Sequence, residues 1–239
     1  RQGLTNMPWL PLILIYGLIG FKIGGLKLSI TIVASFLFIT FTGVLPQALL
    51  SIYLCGIAVI ISFILGSSLG IWAAHNDKVS AFMRPINDTM QTMPSFVILI
   101  PFVMFFGIGE FTALLAIIAY AFVPAMRYTE HGLRNLPETV IEAARMIGCS
   151  QTQLLWKVKI PLAMPVIMLG LNQTIMFGLA MLVIAALVGT TGLGQLIYIG
   201  LSKADFGTGM ISGVSIALIA IIFDRTTQAW RIKLEKKTQ

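Results

Sequence analysis

Residues 28–76 read LSITIVASFLFITFTGVLPQALLSIYLCGIAVIISFILGSSLGIWAAHN, with no Asp, Glu, Lys or Arg. A helix needs about 20 apolar residues to cross a bilayer. The run is therefore too long for one crossing, and Pro46-Gln47 is the natural break. Two spans are predicted, at about 28–45 and 48–74. This reading settles the class of the whole chain, because the same pattern continues on both sides. Of 239 residues, 57% are hydrophobic and 10% charged, against roughly 25% charged in an ordinary soluble domain. Mean hydropathy is +0.93. A surface this oily is stable only where lipid is the solvent.

Working outward, a short span is expected at 8–21, with Trp9 and Tyr16 as interface anchors and Lys22 and Lys27 bracketing a turn. A polar connector follows the charge-free run, from His75 to Gln91. Further spans are expected at 94–106, 111–126, 163–188 and 206–223, seven in all. Gly107-Ile108-Gly109 supplies a tight turn, and Glu110 suits the start of the next helix. Gly189-Thr190-Thr191-Gly192 ends a helix. Gln195 to Ser202 is too short to cross and is placed at the interface. The expected fold is an all-α integral membrane protein. Three segments are read: 1–47 with two peripheral spans, 48–230 as the core, and 231–239 as a basic tail.

The net charge of +7 does not indicate nucleic acid, because the cations sit in short loops between spans. They report topology through the positive-inside rule. Of 16 Lys and Arg, only Arg1 and Lys203 fall on one side. The loop from Arg127 to Pro161 and the C-terminus are thus expected in the cytoplasm, and the N-terminus outside. The chain opens at Arg1 rather than Met, and a longer parent protein is the expectation. GxxxG spacings at Gly20/Gly24, Gly66/Gly70 and Gly209/Gly213 favour close packing within one bundle over a subunit interface.

Several chemistries are missing. There is no phosphate-loop motif, no Cys/His cluster, and the two cysteines, Cys55 and Cys149, are not expected to pair. The acidic residues, Asp224 among them, all read as lying in loops or at span ends, so no carboxylate is expected at mid-membrane, where an ion-driven transporter often keeps one. Asn172, Gln173 and Thr174 form a polar triplet inside a span, with Met176 beside it. Two readings are open for them: hydrogen bonding between helices, and lining of a translocation pathway.

The loop itself carries the sharpest pattern. Pro137-Glu138 starts a helix, and Val140, Ile141, Ala144 and Ile147 give it an apolar stripe. Gly148 ends it. Ser150 caps a second short helix, Gln151 to Lys159, and Pro161 leads to the membrane. Glu142-Ala143-Ala144, three residues, Gly148, nine residues, then Val158-x-Ile160-Pro161 resembles the EAA signature, EAA-x3-G-x9-I-x-L-P. That signature marks the membrane subunits of binding-protein-dependent ABC importers. It departs only at Val158 and Ile160, both aliphatic exchanges. Residues 91–96, 157–165, 172–174, 192–195 and 224–229 further resemble permeases for glycine betaine, proline betaine and choline. The likeness covers about 48–230.

The resemblance implies a type I ABC importer permease core, an ATP-driven alternating-access pathway, and no enzymatic activity or cofactor on this chain. It implies a second permease copy as homodimer, two cytoplasmic ATP-binding subunits carrying ATP and Mg²⁺, an external substrate-binding protein, and the bacterial inner membrane. The EAA loop would be the coupling helix. Glycine betaine, choline or a related methylamine is the expected cargo. The alternatives are a permease for another small solute such as an amino acid, or a transporter working without ATP.

Overall fold

The computed structural model describes the backbone of residues 9–238 and the side chains of residues 10–235. Arg1, Trp9 and the cations at 236 and 237 lie outside the described side chains. Nine helical stretches follow one another among the described residues: α1 (Trp9–Phe41), α2 (Leu45–His75), α3 (Asp77–Thr92), α4 (Ser95–Phe106), α5 (Glu110–Arg134), α6 (Glu138–Met146), α7 (Gln151–Val188), α8 (Leu193–Ser202) and α9 (Phe206–Thr238). The all-helical membrane class is as expected.

By length and composition alone, five continuous helices (α1, α2, α5, α7 and α9) could cross, or six if α3 and α4 are taken as one broken span, against the seven spans expected. The two spans expected on either side of the turn between Lys22 and Lys27 correspond to two arms of α1, which bends at Gly25, where φ is +74°; the second arm stops at Phe41 rather than at 45. Ser29 Oγ donates to the Gly17 carbonyl at 2.9 Å, a pair that 12 residues of straight helix would hold about 18 Å apart. The rings of Tyr16 and Phe36 stack at 5.2 Å. α1 is therefore a helical hairpin with two paired arms of about 24 Å each, short of a 30 Å hydrocarbon core. The expected connector at 75–91 is helix α3, bent by 102° from α4. Asn76 starts α3, accepting from the backbone N–H groups of Lys78 and Val79.

The core is a three-helix contact of α2, α5 and α7. Cys55 and Val59, Ala116 and Ile117, and Leu179 and Leu182 are its buried members. Glycine sets the spacing. A Cβ on Gly66 would sit 2.5 Å from the Phe122 carbonyl oxygen, and one on Gly70 2.6 Å from that of Met126. That GxxxG pair is thus spent inside the bundle, whereas Gly213 faces open space. Outward-facing Leu14, Leu18, Ile60 and Ile64 are exposed, as lipid contact demands.

One end of the bundle is pinned by the 189–192 turn. Gly189 is left-handed at φ +81°. Thr191 donates to Glu110 at 2.7 Å, and the Leu193 N–H donates to Ser51 Oγ at 2.9 Å. At the opposite end, the C-terminal ends of α2, α5 and α9 meet the bend of α1 and the start of α7.

Candidate functional site

α5 does not stop at Met126. It runs on to Arg134, so the polar stretch opening at Arg127 is helical for its first two turns. This end is held by ions. Arg127 pairs with Asp88 and donates to Gln91 Oε1 at 2.6 Å. Arg134 reaches Asp77 at 2.8 Å, the Ala73 carbonyl at 2.7 Å and Glu130 at 3.0 Å. Exposed pairs contribute little singly. Together they fix α3 across the ends of α2 and α5, just before the chain enters α6.

α6 forms as the sequence reads. Pro137 precedes it, Glu138 opens it and Arg145 closes it, each favourable to the helix dipole. Its exit is a Schellman turn. The Cys149 N–H donates to the Ala144 carbonyl at 3.2 Å, and the Gly148 N–H to that of Arg145 at 2.9 Å. Gly148 has φ +85°, with nothing within 4 Å of where its Cβ would be. Backbone conformation, not crowding, demands glycine here.

The second helix is not a separate short one. Ser150 makes the capping box with Gln153, but the chain then continues unbroken from Gln151 to Val188. Pro161 falls inside this rod. A proline lacks the amide donor and crowds the carbonyl four residues back. The π-helical turn Leu154–Lys159 stands directly before it, with the Ile160 N–H donating to Leu155. The segment is therefore one short helix and one turn, set on the end of a spanning helix.

The faces of α6 differ. Ala144 is buried and Ile141 partly so, resting on the Leu154–Lys159 turn. Glu142 and Ala143 point outward. Met146 is 89% exposed, Ile147 84% and nearby Trp156 62%. Among the described residues Glu142 has no ion-pair or hydrogen-bond partner. Val158 and Ile160 are half-buried and Pro161 exposed. The structure thus brings Glu142, Ala143, Ala144 and Gly148 onto one element, with Val158, Ile160 and Pro161 on the rod behind. Met146 and Trp156 were not singled out from sequence; their signal was a large apolar side chain amid charges.

The triplet at 172–174 is split by the helix period. Asn172 and Thr174 turn inward, while Gln173 and Met176 stay partly open. Asn172 Nδ2 donates to Asp224 Oδ1 at 2.9 Å, and Thr227 Oγ1 donates to Asn172 Oδ1 at 2.7 Å. Gln228 also donates to Asp224, at 2.8 Å. Asp224 therefore lies within α9 and is engaged by α7, rather than ending a span. Thr174 Oγ1 donates to the Gly170 carbonyl at 2.8 Å. Among the described residues no three His, Cys, Asp or Glu converge as a metal site, and both cysteines are free.

Residues 66–230 match the family described as "Binding-protein-dependent transport system inner membrane component". The chain is 40% identical, over 96% of its length, to the glycine betaine/proline betaine transport system permease protein ProW of Escherichia coli, of which it spans 65%. It is 42% identical, over 94% of its length, to the trimethylamine N-oxide transport system permease protein TmoV of Pelagibacter ubique, of which it spans 31%. Among solved structures, an inward-facing form of the MetNI methionine ABC transporter aligns with TM-score 0.70 and 18% identity, over 80% of this chain and 95% of that one. At that identity the likeness speaks for the fold.

Proposed function

The chain belongs to the inner-membrane components of binding-protein-dependent transport systems, and we propose that it is the permease subunit of an ATP-driven importer for betaine-like osmolytes. The observation that carries the coupling half of this reading is α6. It is a short helix with its geometry fixed by the Gly148 turn, its acid uncommitted, and Met146 and Ile147 uncovered. Such a face fits a groove on another protein. A cytoplasmic ATP-binding subunit would occupy it, one per copy of a permease homodimer, and ATP and Mg²⁺ would belong to that subunit. An extracytoplasmic binding protein would deliver the solute at the opposite end.

The end bearing α6, the bend of α1 and the C-terminus then faces the cytoplasm, and the N-terminus lies outside. The hairpin within 1–47 sits at the periphery, 48–230 forms the transporting core, and 231–239 continues α9 as a basic extension. ATP binding would move α6, and α7 would transmit that motion as a rigid rod. Gln173 and Met176, the open members of their stretch, are the pathway candidates; Asn172 and Thr174 support them from behind.

The cargo follows from the relatives' own substrates and from charge. Glycine betaine and trimethylamine N-oxide are zwitterionic or dipolar with no net charge, which suits a route without an uncompensated mid-membrane ion. The test is uptake in proteoliposomes holding the chain, its ATP-binding subunit and its binding protein. Labelled glycine betaine should enter only with ATP, and excess choline, carnitine or trimethylamine N-oxide should be compared as competitors. Uptake without ATP, or competition by amino acids alone, would overturn the proposal.

A further inference from the structure

Between the bend of α1 and the second half of α9 lies an open groove of about 510 Å³. Its length follows α9 from Ile221 to Ile232, and Lys27 and Arg225 stand on opposite walls. Leu28, Ile221 and Ile232 make it apolar, while Thr31 and Gln228 add polar atoms. The hairpin comes close to α9 here because Gly24 has no side chain: a Cβ would lie 3.2 Å from that of Ala229. Lys233 Nζ donates to the Lys22 carbonyl and closes one end. Two cations, Lys27 and Arg225, thus line a largely apolar slot, and a third, Lys233, closes one end.

The neighbouring carboxylates are already occupied. Asp224 takes hydrogen bonds from Asn172 and Gln228, and Glu235 pairs with Arg231 at 2.7 Å. Among the described residues neither Lys27 nor Arg225 has an ion-pair partner. Both are exposed. We infer that this groove is a binding site for an anionic glycerophospholipid, its phosphodiester held between Lys27 and Arg225 and an acyl chain lying along Leu28 and Ile221. Basic pockets between membrane helices select such headgroups. A second copy of this chain does not fit: a two-fold contact through the groove would set Lys27 and Arg225 against the same cations. A free phosphate or nucleotide would leave the apolar length uncovered. The inference rests on the membrane setting alone and not on the cargo.

The experiment is native mass spectrometry of the purified full-length chain, in mild detergent, titrated with phosphatidylglycerol or phosphatidylcholine. Wild type should bind phosphatidylglycerol preferentially. Lys27→Gln with Arg225→Gln should weaken that binding about tenfold and leave phosphatidylcholine binding unchanged. The swap Lys27→Arg with Arg225→Lys preserves charge and should preserve binding, which separates lost recognition from lost folding. Equal binding of both lipids, an unaffected Gln variant, or displacement by inorganic phosphate would each overturn the inference. So would photo-cross-linking from position 27, in membranes, to protein rather than lipid.

Discussion

Gly66 and Gly148 are both needed as glycine, and for opposite reasons. Gly66, with Gly70, sits in an ordinary helix with no room for a side chain, because the backbone of α5 occupies the space. Gly148 has open space around it and a backbone that other residues adopt at a cost. The first region is closed and internally satisfied. The second leaves Glu142, Met146 and Ile147 uncommitted. A seam that must hold the bundle buries its contacts; an element proposed to engage a partner keeps them outward.

Substitutions should separate the two. The largest effect is expected for Gly66→Val, which forces atoms into the Phe122 carbonyl. Overpacking against immovable backbone costs upwards of about 3 kcal/mol, and the chain should not be recovered as a monodisperse protein in detergent. A near-normal yield and melting temperature would dissolve the contrast. Gly148→Val should behave differently. The left-handed backbone costs roughly 1–2 kcal/mol with an L side chain, spent locally, so the protein folds while uptake falls about tenfold per ATP hydrolysed. Glu142→Lys should act in the same direction without changing thermal stability. Normal coupled uptake in either variant would remove α6 from the energy-transducing path.

Asn172→Leu tests a third kind of site, a buried polar tie between α7 and α9. Hydrogen bonds between membrane helices contribute about 0.6–2 kcal/mol, so a modest drop in melting temperature is expected. Thr227→Val should lower it by less than the sum when combined with Asn172→Leu. Strict additivity would show that the two side chains are not coupled.

The smallest effect belongs to Asp205. Its carboxylate accepts from Thr208 Oγ1 at 2.6 Å and from the Thr208 N–H at 3.2 Å, capping the start of α9. The Thr208 hydroxyl, the Thr208 amide and, more weakly, nearby Lys203 hold its carboxyl below the usual pKa of 3.8. A carboxyl whose folded value is depressed contributes stability above its ordinary value and loses it as pH falls through the folded one. Asp205→Asn should therefore erase a slight decline in melting temperature as pH falls through and below the ordinary carboxylate range and change little at neutral pH.

Much of the α6 segment was legible because it is local. Pro137, Gly148 and the Ser150–Gln153 box act within a few residues, and the hydrogen bonds form where the spacing places them. Other features depend on partners far along the chain. The turn between Lys22 and Lys27 was legible, but that the two arms of α1 pair rests on a φ at Gly25 and on Ser29 meeting Gly17, which hydropathy does not encode. That α7 runs from Gln151 through Pro161 rests on a π turn absorbing the proline. Asp224 reads as the end of a span by hydropathy; the approach of Asn172, 52 positions earlier, gives it a partner on another helix.

The sequence alone therefore determined the solvent, the helical class, the basic loops and the Gly148 turn. Each follows from short-range chemistry: a bilayer requires apolar runs, and a left-handed turn requires glycine. The tertiary structure decided how many helices are long enough to cross, which glycines are packed and which are free, and which polar side chains find partners. Those outcomes depend on helix approach, and helix approach is set by surfaces that meet only after the chain has folded.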